Sequence, residues 1–143
     1  MSTFQNRLNE LLKDNNLNEK LLAKTLKIKN LSTIYNWTCG NFVPKIDVII
    51  NIANIFNCST DYLLGVSDNN EIVKAKNCKP FHSQLELVLK QKGLKVYNLR
   101  KDNIISAGFA ESVFKKHSVP LTYNVIKIAN YLNISIDELV GRV

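Results

Sequence analysis

Apolar residues recur at helical spacing along most of the chain. Phe4, Leu8, Leu11 and Leu12 fall on one face, with Arg7, Glu10 and Lys13 between them, which predicts an amphipathic first helix. Asp14-Asn15-Asn16 ends it, and Asn18 suits the N-cap of a second helix carrying Leu21, Leu22, Ala23 and Leu26. After the turn Lys27-Ile28-Lys29, Asn30 caps a third helix, Leu31 to Trp37. Gly40 and Pro44 punctuate a loop. A fourth helix places Val48, Ile49, Ile52, Ala53 and Phe56 on one face. Ser59 caps a short fifth helix, Thr60 to Leu64, stopped by Gly65.

The same pattern then returns. Ile52 to Gly65 reads IANIFNCSTDYLLG, and Ile128 to Gly141, 76 residues later, reads IANYLNISIDELVG. Upstream the offset is 77, pairing Phe4 with Phe81, Leu8 with Leu85, Leu17 with Leu94 and Leu22 with Leu99. The slip places one inserted residue near 28–30, in the turn before Asn30. Such self-similarity predicts an all-α chain of two tandem five-helix domains, at 1–65 and 81–143. Residues 66–80 have no helical periodicity and read as a short polar linker, with a small ordered piece at Ile72-Val73.

In the second repeat Phe81, Leu85, Val88 and Leu89 share a face, and Gly93 ends that helix. Val96 to Leu99 opens the next, and Ser106 caps a third containing Phe109, Ala110, Val113 and Phe114. Pro120 precedes a fourth with Val125, Ile126, Ile128, Ala129 and Leu132, and Ser135 to Val140 forms the last.

Composition narrows the chemistry. The 143 residues are 45% hydrophobic, enough for packed cores and too much for disorder. The net charge of +7 favours a polyanionic partner, and it is shared among both repeats and the tether. Cys39, Cys58 and Cys78 are odd in number and lack CxxC spacing, which argues against disulfides and zinc and for a reducing cytoplasm. His82 and His117 have no ligand pattern around them, so no metal and no cofactor is expected. No apolar run is long enough to span a membrane, and the N-terminus carries no signal core. No Cys-His or paired-carboxylate arrangement suggests an enzyme.

Two helices across a tight turn describe a helix-turn-helix. With Leu17-Asn18, Leu22-Ala23, Ser32-Thr33-Ile34-Tyr35-Asn36-Trp37, Gly40, Pro44 and the ending IAxxFNxSxDYLLG in order, the stretch Arg7 to Gly65 resembles the phage repressor and Cro family, also called the XRE family. That resemblance implies a third helix entering the DNA major groove of double-stranded DNA. Ile34 and Trp37 face the core with Leu22 and Ala23, which leaves Leu31, Ser32, Tyr35 and Asn36 as the base-facing positions. Asn36 suits adenine, Ser32 suits either kind of base, and Leu31 suits a thymine methyl. A plain polar solvent face is the competing reading of these positions. Phosphate contacts are expected from Asn18, Lys27, Lys29, Asn30, Thr33, Asn41 and Lys45. Where the family carries a phosphate-bonding Gln, this chain has Glu19, which would repel a phosphate.

The second repeat keeps the fold signal and loses the reading surface. Arg100 is expected at the tight crossing held by Ala23, where a long cation would spread the helices. Ala107, Gly108, Glu111 and Ser112 are its exposed third-helix positions. Lys115, Lys116 and His117 are expected in the loop beyond, the lysines as secondary contacts to the DNA backbone. The expected function is a cytoplasmic, bacterial or phage-encoded regulator, a repressor homodimer on a two-fold operator, whose second repeat dimerises or binds a protein partner. The alternative is a protein-interaction module on the same fold: an antitoxin, an anti-repressor or a phage counter-defence protein.

Overall fold

A computed structural model describes residues 3–143, so the first two residues of the expected 1–65 domain lie outside the described residues. The chain divides into two compact units, the first ending at Ala75 and the second beginning at Lys76, with Lys45–Asp47 grouped with the second. Every regular element named below is helical.

The first unit contains α1 (Phe4–Asp14), α2 (Glu19–Leu26), α3 (Leu31–Thr38), α4 (Ile46–Phe56) and α5 (Thr60–Leu63). Its helix starts follow from short polar side chains that accept from otherwise orphaned backbone N–H groups. Asn18 accepts from the amide of Leu21, Asn30 from Ser32, and Ser59 from Tyr62. The apolar stripes converge, so Leu8, Leu22, Ile34, Ile49, Ile52, Ala53 and Leu63 are fully buried. Arg7 corrects the sequence reading. It is buried rather than solvent-facing, with its guanidinium 3.9 Å over the Tyr62 ring and 2.6 Å from the Asp68 carboxylate. Positions 4, 7, 8, 11 and 12 all lie on one helical face, and that spacing was the signal for it.

The stretch expected as a linker is partly structure of the first unit. Besides the Arg7 bond to Asp68, Ile72 forms an isolated bridge with Cys58. The Val73 amide donates to the Asn57 carbonyl, and the Ala75 amide to the Asn57 side chain. The ordered piece at Ile72-Val73 is therefore present, and it is anchored.

The second unit contains α6 (Phe81–Gln91), α7 (Val96–Lys101), α8 (Ala107–Ala110), α9 (Thr122–Leu132) and α10 (Ile136–Val140). α8 runs directly into a π-helical turn, Glu111–Lys115. Leu85, Leu99, Val125, Ile128, Ile136 and Leu139 form its core. Arg142 and Asp137 make a buried ion pair, 2.8 Å apart. His82 and His117 stack face to face with ring centroids 3.7 Å apart.

Hydrogen bonds relocate the insertion. In α2 the Ile28 amide donates to the Ala23 carbonyl, and in α7 the Ile104 amide donates to Leu99. Lys27 and Asn103 are both left-handed, and Asn30 and Ser106 are both N-caps. The two turns are thus equal in length, and the extra residue lies inside α2, eight residues long against six in α7. The partner of Ala23 is Leu99, not Arg100, which is exposed. A second insertion sits in the π turn, which holds one more residue than a regular helix would. A loop one residue shorter then restores the offset of 76. Lys115 is consequently helical rather than in a loop, with Lys116 as the C-cap and His117 left-handed beyond it.

Candidate nucleic-acid interface

The site is built on α3, and α3 is held from behind. Gln5 and Asn9, one turn apart on α1, both donate side-chain amide hydrogens to the Thr38 carbonyl, at 3.1 and 3.0 Å. That carbonyl is one of the orphan acceptors at the end of α3. Gly40 lets the chain leave the helix here. Its φ of +83° is in the left-handed region, and a Cβ would lie 2.5 Å from the Gln5 side-chain oxygen. Ile34 and Trp37 fix the inner face, being almost completely buried. Ala23 is buried as well, and its small side chain permits the close packing of α2 on α3.

The four positions expected to face bases differ in exposure. Ser32 and Tyr35 are exposed, and Leu31 and Asn36 are half-buried. The polar ones are ordered by local bonds. The Asn30 side-chain oxygen accepts from both the amide of Ser32, at 3.1 Å, and its hydroxyl, at 2.7 Å. Asn41 donates to the Asn36 side-chain oxygen at 3.3 Å, and the amides of Asn41 and Phe42 both donate to the Asn36 carbonyl. The loop after α3 is thereby folded onto its end.

Of the positions expected at phosphates, Asn18, Lys27, Lys29, Asn30, Asn41 and Lys45 are exposed, and Thr33 is half-buried. Asn18 and Asn30 use their side-chain oxygens as caps, so only their NH2 groups remain to donate outward. Glu19 lies in the first turn of α2, where the helix dipole favours a carboxylate. The sequence reading did not single out Phe42 and Val43, which are 63% and 54% exposed immediately after Asn41. Their position beside a loop glycine was the signal, since apolar residues there have no core to enter.

The same helix pair in the second unit is arranged differently. α7 and α8 scarcely touch, although the third helix meets α6 through its π turn as α3 meets α1. Between them runs a groove of about 400 Å³ lined by Val96, Arg100, Ala107, Ala110 and Phe114. A long cation does not separate the helices as expected, because Arg100 stands on the groove rim and Leu99 fills the crossing position. Glu111 is exposed on this unit's third helix, with Lys115 and Lys116 exposed after it. Burial raises the Cys78 thiol pKa, an effect opposed by the nearby Arg142 and Lys76. Among the described residues no three His, Cys, Asp or Glu side chains gather as metal ligands. No helix of the described residues is long and apolar enough to cross a membrane.

An N-capped second helix, a tight turn and a third helix with one buried and one open face define a helix-turn-helix domain at the N-terminal end of an all-helical chain. In agreement, the model of a family described as a helix-turn-helix domain matches residues 6–68, and the match reaches Asp68, the partner of Arg7. No curated protein and no solved structure gives a significant match.

Proposed function

We propose that the chain is a sequence-specific DNA-binding regulator of the phage-repressor and Cro type. The first unit reads a half-site through α3, and the second is a degenerate copy of the same domain that assembles a homodimer on a two-fold operator. Such a protein acts in the cytoplasm of a bacterium, encoded there or by its phage or mobile element, and represses by occupying a promoter. The observation that supports this reading is the grip of Gln5 and Asn9 on Thr38, which anchors α3 while Ser32 and Tyr35 are exposed and Leu31 and Asn36 half-buried on it. Base-facing roles belong to those four residues. Asn18, Lys27, Lys29, Asn30, Thr33, Asn41 and Lys45 supply backbone contacts, and Lys115 and Lys116 supply secondary ones.

In vitro selection from random duplex DNA, at about 150 mM salt so that non-specific phosphate binding is weakened, tests it. The expected product is a two-fold motif with half-sites about 34–36 Å apart. Asn36→Ala should lose about 1–3 kcal/mol of discrimination at one base pair. Binding that persists with unchanged sequence preference in that variant removes α3 as the reading helix.

A second reading is favoured by Glu19 at the start of α2 and by the exposed Phe42 and Val43. On it the fold serves protein interaction, as in an antitoxin, anti-repressor or counter-defence protein, with only weak DNA binding. An operator bound at nanomolar concentration counts against it.

A further inference from the structure

The hydrogen bonds at the start of α3 fix which way the Ser32 hydroxyl points, and that decides what Ser32 reads. The Ser32 backbone amide can only donate, so the Asn30 atom it meets at 3.1 Å is the side-chain oxygen. That oxygen can only accept. The Ser32 hydroxyl oxygen, 2.7 Å from the same atom, must therefore be the donor of their bond. A serine hydroxyl has a single hydrogen and two lone pairs. With its hydrogen committed to Asn30, Ser32 turns only acceptor lone pairs outward.

We propose that Ser32 is a specificity-determining acceptor for the exocyclic amino group of adenine or cytosine, and that Asn30 is the positioning residue that makes it so. In the major groove those amino groups are the hydrogen-bond donors, whereas guanine and thymine present acceptors at the corresponding edge. An unconstrained serine serves either kind of base. Here a guanine O6 or thymine O4 opposite Ser32 would face lone pair against lone pair, or break the bond to Asn30. Asn30 acts through Ser32 alone in this respect, because its extended backbone keeps its oxygen over the first turn of the helix. The inference rests on the proposal that α3 reads bases.

The test uses the full chain and the duplex that selection enriches. Ser32→Ala identifies the base pair that depends on Ser32 as the one position whose preference it erases. At that position the amino-bearing base is replaced by its des-amino analogue, purine for adenine or 2-pyrimidinone for cytosine. The wild-type chain should lose about five- to tenfold in affinity, the value of one hydrogen bond. The Ser32→Ala chain should lose nothing further. Asn30→Gly, which keeps an acceptable N-cap, frees the hydroxyl to donate. It should admit guanine or thymine at that position, while the des-amino penalty persists because a free hydroxyl still accepts from the amino group; a variant that still rejects guanine and thymine there overturns the role of Asn30. If removing the amino group leaves wild-type affinity unchanged while removing a base acceptor lowers it, the acceptor assignment is overturned and base reading by α3 stands. If Ser32→Ala and Asn36→Ala both select the wild-type motif, base reading itself fails, and the assignment falls with it.

Discussion

Ile34 and Trp37 lie buried beneath the outer face of α3 in the first unit, whereas Ala110 and Val113 stand at the same places in the second. With isoleucine and tryptophan the third helix is pulled close to α2. With alanine and valine there, the third helix and α7 scarcely touch, and a groove lies between them. Core volume at two positions thus separates a helix pair held tightly enough to present a rigid surface from one that is not. The difference also concerns charge. The first unit offers Ser32, Tyr35 and Asn36 outward, while the second offers Ala107, Gly108 and the carboxylate of Glu111. The close-packed pair and the polar outer face thus occur together in the first unit, and neither occurs in the second.

The largest test of the contrast uses the arginines. Arg142 and Asp137 pair with side chains 0% and 5% exposed, whereas the Asp68 partner of Arg7 is 95% exposed. Arg142→Met removes the counter-ion of a buried carboxylate and should cost about 3–5 kcal/mol in urea unfolding of the full chain. Asp68→Asn should barely move the midpoint, because an ion pair with one member in water contributes little. Equal losses would mean that the first unit relies on its pair as much as the second.

Exchanging the third-helix volumes comes next. Ile34→Ala should cost about 2–5 kcal/mol, for it empties a fully buried site. Ala110→Ile extends into the groove and should change stability by less than about 1.5 kcal/mol. A large loss from Ala110→Ile would show that the groove has no room, and core volume would no longer explain the splayed pair.

Glycines give a smaller contrast. Gly40→Ala combines left-handed strain with collision against Gln5 and should cost about 1–2 kcal/mol, with DNA affinity falling as the end of α3 shifts. Gly93→Ala, also left-handed but with nothing near its Cβ, should cost only about 1 kcal/mol. Thermal denaturation of both variants decides it.

The smallest effect is a titration. The Tyr131 phenol donates to the Asp102 carboxylate at 2.5 Å, and that bond, followed by desolvation, raises its pKa. A neutral phenol is the form the bond favours, so its contribution is complete at neutral pH and is lost as pH rises through the elevated value. In ultraviolet titration Tyr131 should ionise late among the five tyrosines, and Asp102→Asn should shorten the delay.

Much of this was legible in the chain. Asn18, Asn30, Ser59 and Ser106 cap the helices their spacing implied, because capping is a local matter of one side chain and an amide two or three residues on. The inner face of α3 was legible too, since Ile34 and Trp37 are apolar residues three apart. The π turn was not. An extra residue in the third helix followed by a shorter loop leaves the later repeat offset unchanged, so comparison of the two halves passes over both. The spacing of Arg7 signalled its burial, but its pairing was hidden because Asp68 lies 61 residues away. The orientation of the Ser32 hydroxyl depends on a bond that no spacing encodes.

The grip on Thr38 bears on how such a protein changes over generations. Gln5 and Asn9 take hold of a backbone carbonyl, a group present whatever amino acid stands at that place. None of the residues that anchor α3 is among the four it turns outward. Substitutions at the exposed Ser32 and Tyr35 leave that grip untouched, so over generations the outer surface of α3 can vary while the scaffold beneath it is inherited intact.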